Sequence, residues 1–430
     1  MYIGHLKLTN FRLFKKFEAD FNNRVTVIVG VNGAGKSTIL DALAIAAGTF
    51  LVGFDGIRGR SITREDATNI SYTMADTIDL QAQYPVVIEA EGTVGGQQMT
   101  WTRQLNGSEG KTTISGAKNI VDISRAYQTR IRKGDTSLIL PVLSCYGTGR
   151  LWTQKKSTNS QISGRSTRLN GYRDCLSAAS NEKLMMNWFM KMALREFQSR
   201  KEGSVNELNA VYKAVEKCCQ KLTGWENIRV QYNSDTNELD ILNLSDRQNG
   251  QRYPMHELSD GYKNTISMIS DIAYRMTVLN PQLTDPVAET PGIVMIDEVD
   301  LHLHPQWQQI IIGMLTEIFP KVQFIVTTHA PSVIASVKRE NMLLISSDNK
   351  NGIQPSTEVY GRTPDTILSS VMDTHDRPQE IQKLFQKCYA AIDDERLDDA
   401  EKILADIENL IGSDDPEAAG LHTTIRFEKR

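Results

Sequence analysis

A chain of 430 residues, 23% charged and 40% hydrophobic, has the composition of an ordinary soluble globular protein and can bury a large core, most simply in two lobes. Its net charge of -4 excludes a global pull toward nucleic acid or anionic membrane, so any such binding needs a local patch. The N-terminus has no basic stretch leading into an apolar run, and Cys145, Cys175, Cys218, Cys219 and Cys388 form no CxxC pair or metal-ligand spacing, so a reduced, cytoplasmic protein is expected.

Residues 3–9 and 14–21 read as strands, and 25–30 as an apolar strand running into Gly30-Val31-Asn32-Gly33-Ala34-Gly35-Lys36-Ser37-Thr38. This matches GxxxxGK[ST], a phosphate-binding loop. Its glycines let the backbone curl so that N–H groups face an anion, and the helix expected over 38–47 aims its positive end at the same place. Lys36 would neutralise β/γ-phosphate charge, and the Ser37 hydroxyl could ligate Mg²⁺. The apolar run 38–54 resembles a membrane segment, but it is short for a span and follows a phosphate loop, so a buried helix is the better reading.

Residues 53–79 read as loop, 85–93 and 98–105 as a hairpin across Gly95-Gly96, and 138–145 as an apolar strand. The polar stretch 153–168 reads as a surface loop. Between Arg125 and Arg173 lie Arg130, Arg132, Lys133, Arg150, Lys155, Lys156, Arg165 and Arg168, with Asp135 the only acid. Such a stretch could track a nucleic-acid backbone, with Tyr127, Tyr146, Trp152 and Tyr172 stacking on bases; it could equally be a solvated face paired with acids elsewhere. Helices are expected over 182–198 and 205–222, then a hairpin of 228–232 and 238–243.

The segment Leu258-Ser259-Asp260-Gly261-Tyr262 precedes a helical stretch over 263–278. Ser259 fits an N-cap, and the helix start offers N–H groups to a phosphate or simply ends the helix. The apolar strand 293–296 ends in Asp297-Glu298. Asp297 could hold Mg²⁺, and Glu298 could orient and deprotonate an attacking water. His329 follows the apolar strand 323–327, where it could sense a γ-phosphate or serve as a structural histidine. His302 and His304 lack an evident third metal ligand and read better as a subunit-contact loop. Two helices, 378–392 and 397–411, close the reading, with Gly412 as C-cap of the second.

These segments in this order resemble the RecF/SMC-like branch of the ABC superfamily, ATPases of the AAA_21 kind. The resemblance rests on Asn10-Phe11-Arg12, the glycine loop, 258–262, Asp297-Glu298-Val299-Asp300 and His329, and covers roughly 1–50 and 256–346. It implies an α/β ABC-type ATPase head with ATP and Mg²⁺ as cofactors. Arg12, Asn32, Gly33, Ala34, Gly35, Lys36, Ser37 and Thr38 would surround one nucleotide. Ser259 and Gly261 would reach the partner copy's γ-phosphate, Asp300 would lie in the subunit-crossing D-loop, and Lys36, Glu298 and the switch His329 would be catalytic. Ser37 and Asp297 would hold the Mg²⁺. Asp260 and Tyr262 stand where the superfamily commonly has Gly and Gln, a departure that implies slow hydrolysis. No Q-loop glutamine is evident, Gln154 coming late.

More narrowly, residues 140–152 and Asp414 to Glu417 resemble PtuA-like ATPases of Septu anti-phage systems, including those attached to retrons. That resemblance implies a separate HNH nuclease as partner, controlled by nucleotide state. The expected organisation is an N-terminal half-head over 1–150, a mainly helical insertion over 151–255, a C-terminal half-head over 256–346 and a helical partner or oligomer segment over 347–430. A RecF-like repair ATPase and a nucleotide-gated scaffold with little hydrolysis are the other readings.

Overall fold

The computed structural model describes residues 1–74, 77–150, 167–177, 182–198, 206–245, 250–345, 351–372 and 377–429. In chain order come β1 (Tyr2–Phe11), β2 (Phe14–Asp20), β3 (Val25–Val29), α1 (Lys36–Gly48), β4 (Asn69–Met74), β5 (Thr77–Ala82), β6 (Val86–Val94), β7 (Gln97–Leu105), α2 (Lys118–Arg132) and β8 (Val142–Tyr146). Next are α3 (Glu182–Gln198), α4 (Asn206–Thr223), β9 (Ile228–Asn233), β10 (Glu238–Asn243), β11 (Gln251–Pro254), α5 (Asp260–Leu279), α6 (Pro286–Glu289) and β12 (Gly292–Ile296). Then follow α7 (Pro305–Gln308), α8 (Ile311–Ile318), β13 (Val322–Thr328), α9 (Pro331–Ile334) and β14 (Met342–Leu344). The last helices are α10 (Pro364–Ser370), α11 (Gln379–Asp393), α12 (Leu397–Ile411) and α13 (Pro416–Glu428).

The fold is α/β. A parallel sheet in the order β14-β3-β13-β12-β8 carries the functional loops. Strands β3, β8, β12 and β13 are buried at every residue, which is why they read as unbroken apolar runs rather than alternating ones. The register pairs Val29 with Thr328, Ile296 with Val326, and Ile296 with Tyr146. The glycine loop, Asp297, His329 and the end of β8 therefore emerge along one edge, the carboxyl edge where open α/β sheets bind ligands. A second, antiparallel sheet has the order β2-β1-β6-β7. Helix α1 packs against both sheets, and Trp101 Nε1 donates to Ala46 O at 3.1 Å. The stretch Lys36–Gly53 is apolar enough for a membrane span, yet 78% of it is buried inside the protein, which makes it a core helix.

Several local expectations change. Part of 53–79 is not loop: β4 and β5 form a hairpin whose Tyr72, Ile78 and Leu80 face solvent, so burial did not impose an alternating pattern on it. Helix α2 was not expected; Ile120, Val121 and Ser124 are its only buried residues, too narrow a stripe to stand out. Strand β8 starts at Val142 rather than at 138, because Pro141 has no N–H to give a ladder. Between β8 and α5 lie helices α3 and α4 and the small sheet β11-β10-β9. The polar stretch 153–168 falls almost wholly outside the described residues, as do Trp152, Gln154, Lys155, Lys156 and Arg165 and the side chain of Arg150.

Residues Thr363–Arg430 form a separate compact unit, so the boundary falls later than 347. Its core joins Phe385, Cys388 and Ala391 of α11, Ala400, Leu404 and Ile407 of α12, and Ala418, Leu421 and Ile425 of α13. The three-and-four spacing within each trio is that of one helical face. Gly412, at φ 94°, ends α12. The unanticipated α13 is started by Asp415, whose carboxylate accepts from the Glu417 and Ala418 amides, with Pro416 in the first turn.

Candidate nucleotide site

The loop between β3 and α1 leaves Asn32, Gly33 and Ser37 exposed and draws Gly35, Lys36 and Thr38 inward. Gly35 has φ 98°, and a Cβ there would stand 2.6 Å from the Phe14 ring, so both the turn and the packing require glycine. No side chain caps α1, whose first amides are thus open to an anion at the helix start. Lys36 Nζ donates to Gly30 O at 2.7 Å and Val31 O at 3.1 Å. Burial pulls its ammonium below the ordinary lysine range, against the opposing influence of Asp297, Glu298 and Asp300. One cation thus faces three carboxylates across the sheet edge.

Two of those carboxylates, Asp297 and Asp300, are held by threonines that belong to no motif. Thr327 Oγ1 donates to Asp297 Oδ1 at 2.6 Å and accepts from the Glu298 amide at 2.8 Å. Thr328 Oγ1 donates to Asp300 Oδ1 at 2.6 Å. His329 Nδ1 lies 3.9 Å from Asp300 Oδ2. The Asp297 amide donates to Tyr146 O at 2.8 Å, tying β12 to the end of β8. Glu298 has φ 46°, a left-handed conformation costly for a non-glycine residue and typical of functional turns. The only sequence signal for the threonines was their place before His329 at the end of an apolar strand.

The residues present fit Mg²⁺. Ser37 hydroxyl and Asp297 carboxylate are hard oxygen donors, and Mg²⁺ is usually held by one or two protein oxygens plus phosphate. The loop amides and Lys36 could hold a phosphate chain, with Glu298 on the neighbouring strand end close enough to act on the Lys36 charge.

Ser259 stands at the N-cap of α5, but its side chain makes no cap hydrogen bond. It lines a cleft of about 630 Å³ with His302, His304, Gln306 and Trp307, and no phosphate-loop residue lines that cleft. Tyr262 packs edge-on against Trp307, 4.2 Å between centroids. A Cβ on Gly261 would stand 2.5 Å from His302 O, so the 258–262 segment and the loop after Asp300 are locked together by backbone contact.

Arg12 sits between Asp41 of α1 (2.5 Å) and Asp66 (2.8 Å), and Arg60 takes the other Asp41 oxygen at 2.6 Å. In the basic stretch, Arg125 pairs with Asp122, Arg130 with Asp135, and Arg132 with Asp55. Tyr146 and Tyr172 are buried and cannot stack on bases; Tyr172 OH donates to Pro141 O. Tyr127 packs edge-on against Phe50. Neutral-looking tyrosines in a basic run were core residues, because the run crosses the end of a buried strand.

Fold and site together define an ATP-binding head of the ABC type, and the protein is an ATPase. The AAA domain family matches residues 5–223, and the AAA ATPase domain family matches 150–334. The chain therefore belongs to the AAA domain family. It is 26% identical to the retron Vc95 probable ATPase of Vibrio cholerae serotype O1 biovar El Tor, over 90% of this chain and 82% of that one. It is also 26% identical to the retron Ec83 probable ATPase of Escherichia coli, over 100% of this chain and 87% of that one. Septu protein PtuA of Bacillus mycoides (strain KBAB4) is 32% identical over 36% of this chain and 22% of that one. The narrower resemblance to PtuA-like ATPases agrees with these relatives.

Thr327→Val keeps the shape of the side chain and removes the hydroxyl that joins Asp297 to the Glu298 amide. It is expected to slow ATP turnover by roughly tenfold or more, equivalent to about 1.4 kcal/mol on the barrier, measured as phosphate release. Turnover equal to the unaltered protein would show that the bridge does not set the carboxylates.

Proposed function

We propose that this chain is the ATPase subunit of an anti-phage defence complex, in which two copies close around ATP and thereby control a separate HNH nuclease. The observation that carries the closure is the separation of clefts. Ser259 lines a cleft with the 302–307 loop and without the phosphate loop, so a second copy is the natural source of its phosphate. The retron and Septu relatives support the defence setting.

In this reading the loop residues 32–38 and Lys36 bind the phosphates, and Ser37 and Asp297 hold Mg²⁺. When bound, Mg²⁺ supplies charge neutralisation at the phosphate oxygens. Glu298 takes the water proton, and His329, beside Asp300, reads the γ-phosphate. Ser259 and Gly261 of one copy meet the nucleotide of the other, and Asp300 lies at the crossing. Arg12 acts on the nucleotide side through Asp41, one helical turn past Ser37 on α1. The C-terminal unit, with acidic residues opening α12, is the docking element for the nuclease. All five cysteines are buried free thiols, in keeping with a reducing cytoplasm.

Gly261→Ala is expected to leave nucleotide binding to the phosphate loop intact and to cut turnover on the order of tenfold, by driving the signature away from His302. Fluorescent-nucleotide binding measured beside phosphate release separates the two effects.

The proposal is tested by a tagged pull-down from native cells, with and without ATP, followed by mass spectrometry. A stoichiometric HNH protein supports it. A homodimer alone, or one with replication and repair proteins, replaces it with a RecF-like role.

A further inference from the structure

We infer that the protein carries a second ligand site, for a nucleotide unit made of a planar base and a phosphate, in a cavity beside the C-terminal half of α5. The cavity has a volume of about 320 Å³ and is lined by Arg168, Arg173, Trp188, Lys191, Arg195 and Tyr274. That volume is at the lower end of small-molecule sites and suits one nucleotide. Among its described lining residues four are cationic and one, Glu207, is acidic and pairs with Arg195 at 3.7 Å, so the wall keeps a net positive excess.

The charges are built in rather than adventitious. Arg168 is half-buried, and its guanidinium is fixed by neutral groups: Nε donates to Leu279 O at 2.7 Å, and Nη2 donates to Leu138 O at 2.6 Å and to the Asn280 side chain at 3.2 Å. Its charge is held in place without being cancelled by a carboxylate in contact. Lys191 is exposed on α3, one turn before Arg195. Trp188, three residues before Lys191, is a rigid ring held edge-on by Phe189 (5.2 Å) and Tyr274 (5.3 Å). A flat aromatic beside fixed cations is the arrangement that takes a base and its phosphate without reading sequence. Among the described residues, the aromatic beside these cations is thus supplied by α3.

A buried relay joins this wall to the hydrolytic edge. Arg275 Nη1 donates to Gly171 O and Arg173 O, both at 2.9 Å, on the turn that carries Arg168 and Arg173. Arg275 Nε donates to Asp271 at 2.8 Å, Tyr146 OH donates to the same carboxylate at 2.7 Å, and Tyr146 O accepts from the Asp297 amide. Helix α5, which bears Tyr274 at the cavity, starts at the Ser259 signature. Occupancy of the cavity therefore bears on both Asp297 and the signature, and this holds whether or not a nuclease is the partner.

The test uses the full chain. A short fluorescein-labelled oligothymidylate is titrated by anisotropy, and thymidine monophosphate by calorimetry in a Lys36→Ala background that silences the ATP site. Lys191→Glu is expected to weaken the oligonucleotide by ~10-fold or more at low salt, with Lys191→Arg restoring it. Sensitivity of the oligonucleotide alone identifies a strand as the source, and sensitivity of the monophosphate identifies a free nucleotide. If Lys191→Glu and Arg195→Glu proteins, melting like the unaltered chain, bind both probes as it does, the site is overturned. Tyr146→Phe is expected to keep probe binding and to lose the probe's effect on ATP turnover; an unchanged effect overturns the relay.

Discussion

Glu298→Gln is expected to reduce ATP turnover by ~10²–10⁴-fold, the range for loss of a positioned general base, while ATP still binds. The amide has the shape of the carboxylate but does not accept the water proton at neutral pH. The backbone that presents it is unaffected, because the Glu298 amide is held by Thr327 Oγ1 and the left-handed φ of 46° belongs to the turn. Phosphate release against nucleotide binding reads the two steps separately. Turnover within about twofold of the unaltered protein would move the base elsewhere. Biological function that survives the loss of turnover would mean that nucleotide binding, not hydrolysis, is the working step.

Lys36→Ala should abolish the stabilisation that ATP gives the fold. A ligand at a hundredfold excess over its Kd adds about 2.7 kcal/mol, so the unaltered protein should melt at a higher temperature with Mg-ATP and the variant should not. The side chain's contacts with Gly30 O and Val31 O are local to the loop, so the variant should still fold. Without nucleotide its melting temperature should not fall, because the burial that lowers the Lys36 ammonium's pKa outweighs the attraction of Asp297, Glu298 and Asp300. Equal ATP-induced shifts in the two proteins would remove Lys36 from the binding site.

The glycine loop and the Asp297-Glu298 turn were legible because their chemistry is local: a few consecutive residues fix both backbone and function. The parallel sheet was legible through apolar runs that burial on both faces demands. Thr327 was not legible as a clamp, since its role depends on β13 lying in register beside β12, a contact 29 residues from Glu298 in the chain. Tyr146 and Tyr172 looked like base-stacking residues only because charge clustering says nothing about which way a ring points. Arg12 was placed near the nucleotide by resemblance, and the structure adds its carboxylate partners, Asp41 and Asp66, which are distant in sequence. Hairpin β4–β5 escaped because its apolar side chains are exposed and so mimic a loop composition.

The central claim is that two copies close on ATP through the phosphate loop of one and the signature of the other. The direct measurement is the molar mass of the Glu298→Gln protein by light scattering, with and without Mg-ATP, beside the same protein carrying Ser259→Arg. The account predicts that ATP doubles the mass of the smallest stable species and that Ser259→Arg prevents it. A mass indifferent to ATP, or a doubling that Ser259→Arg leaves intact, would contradict it.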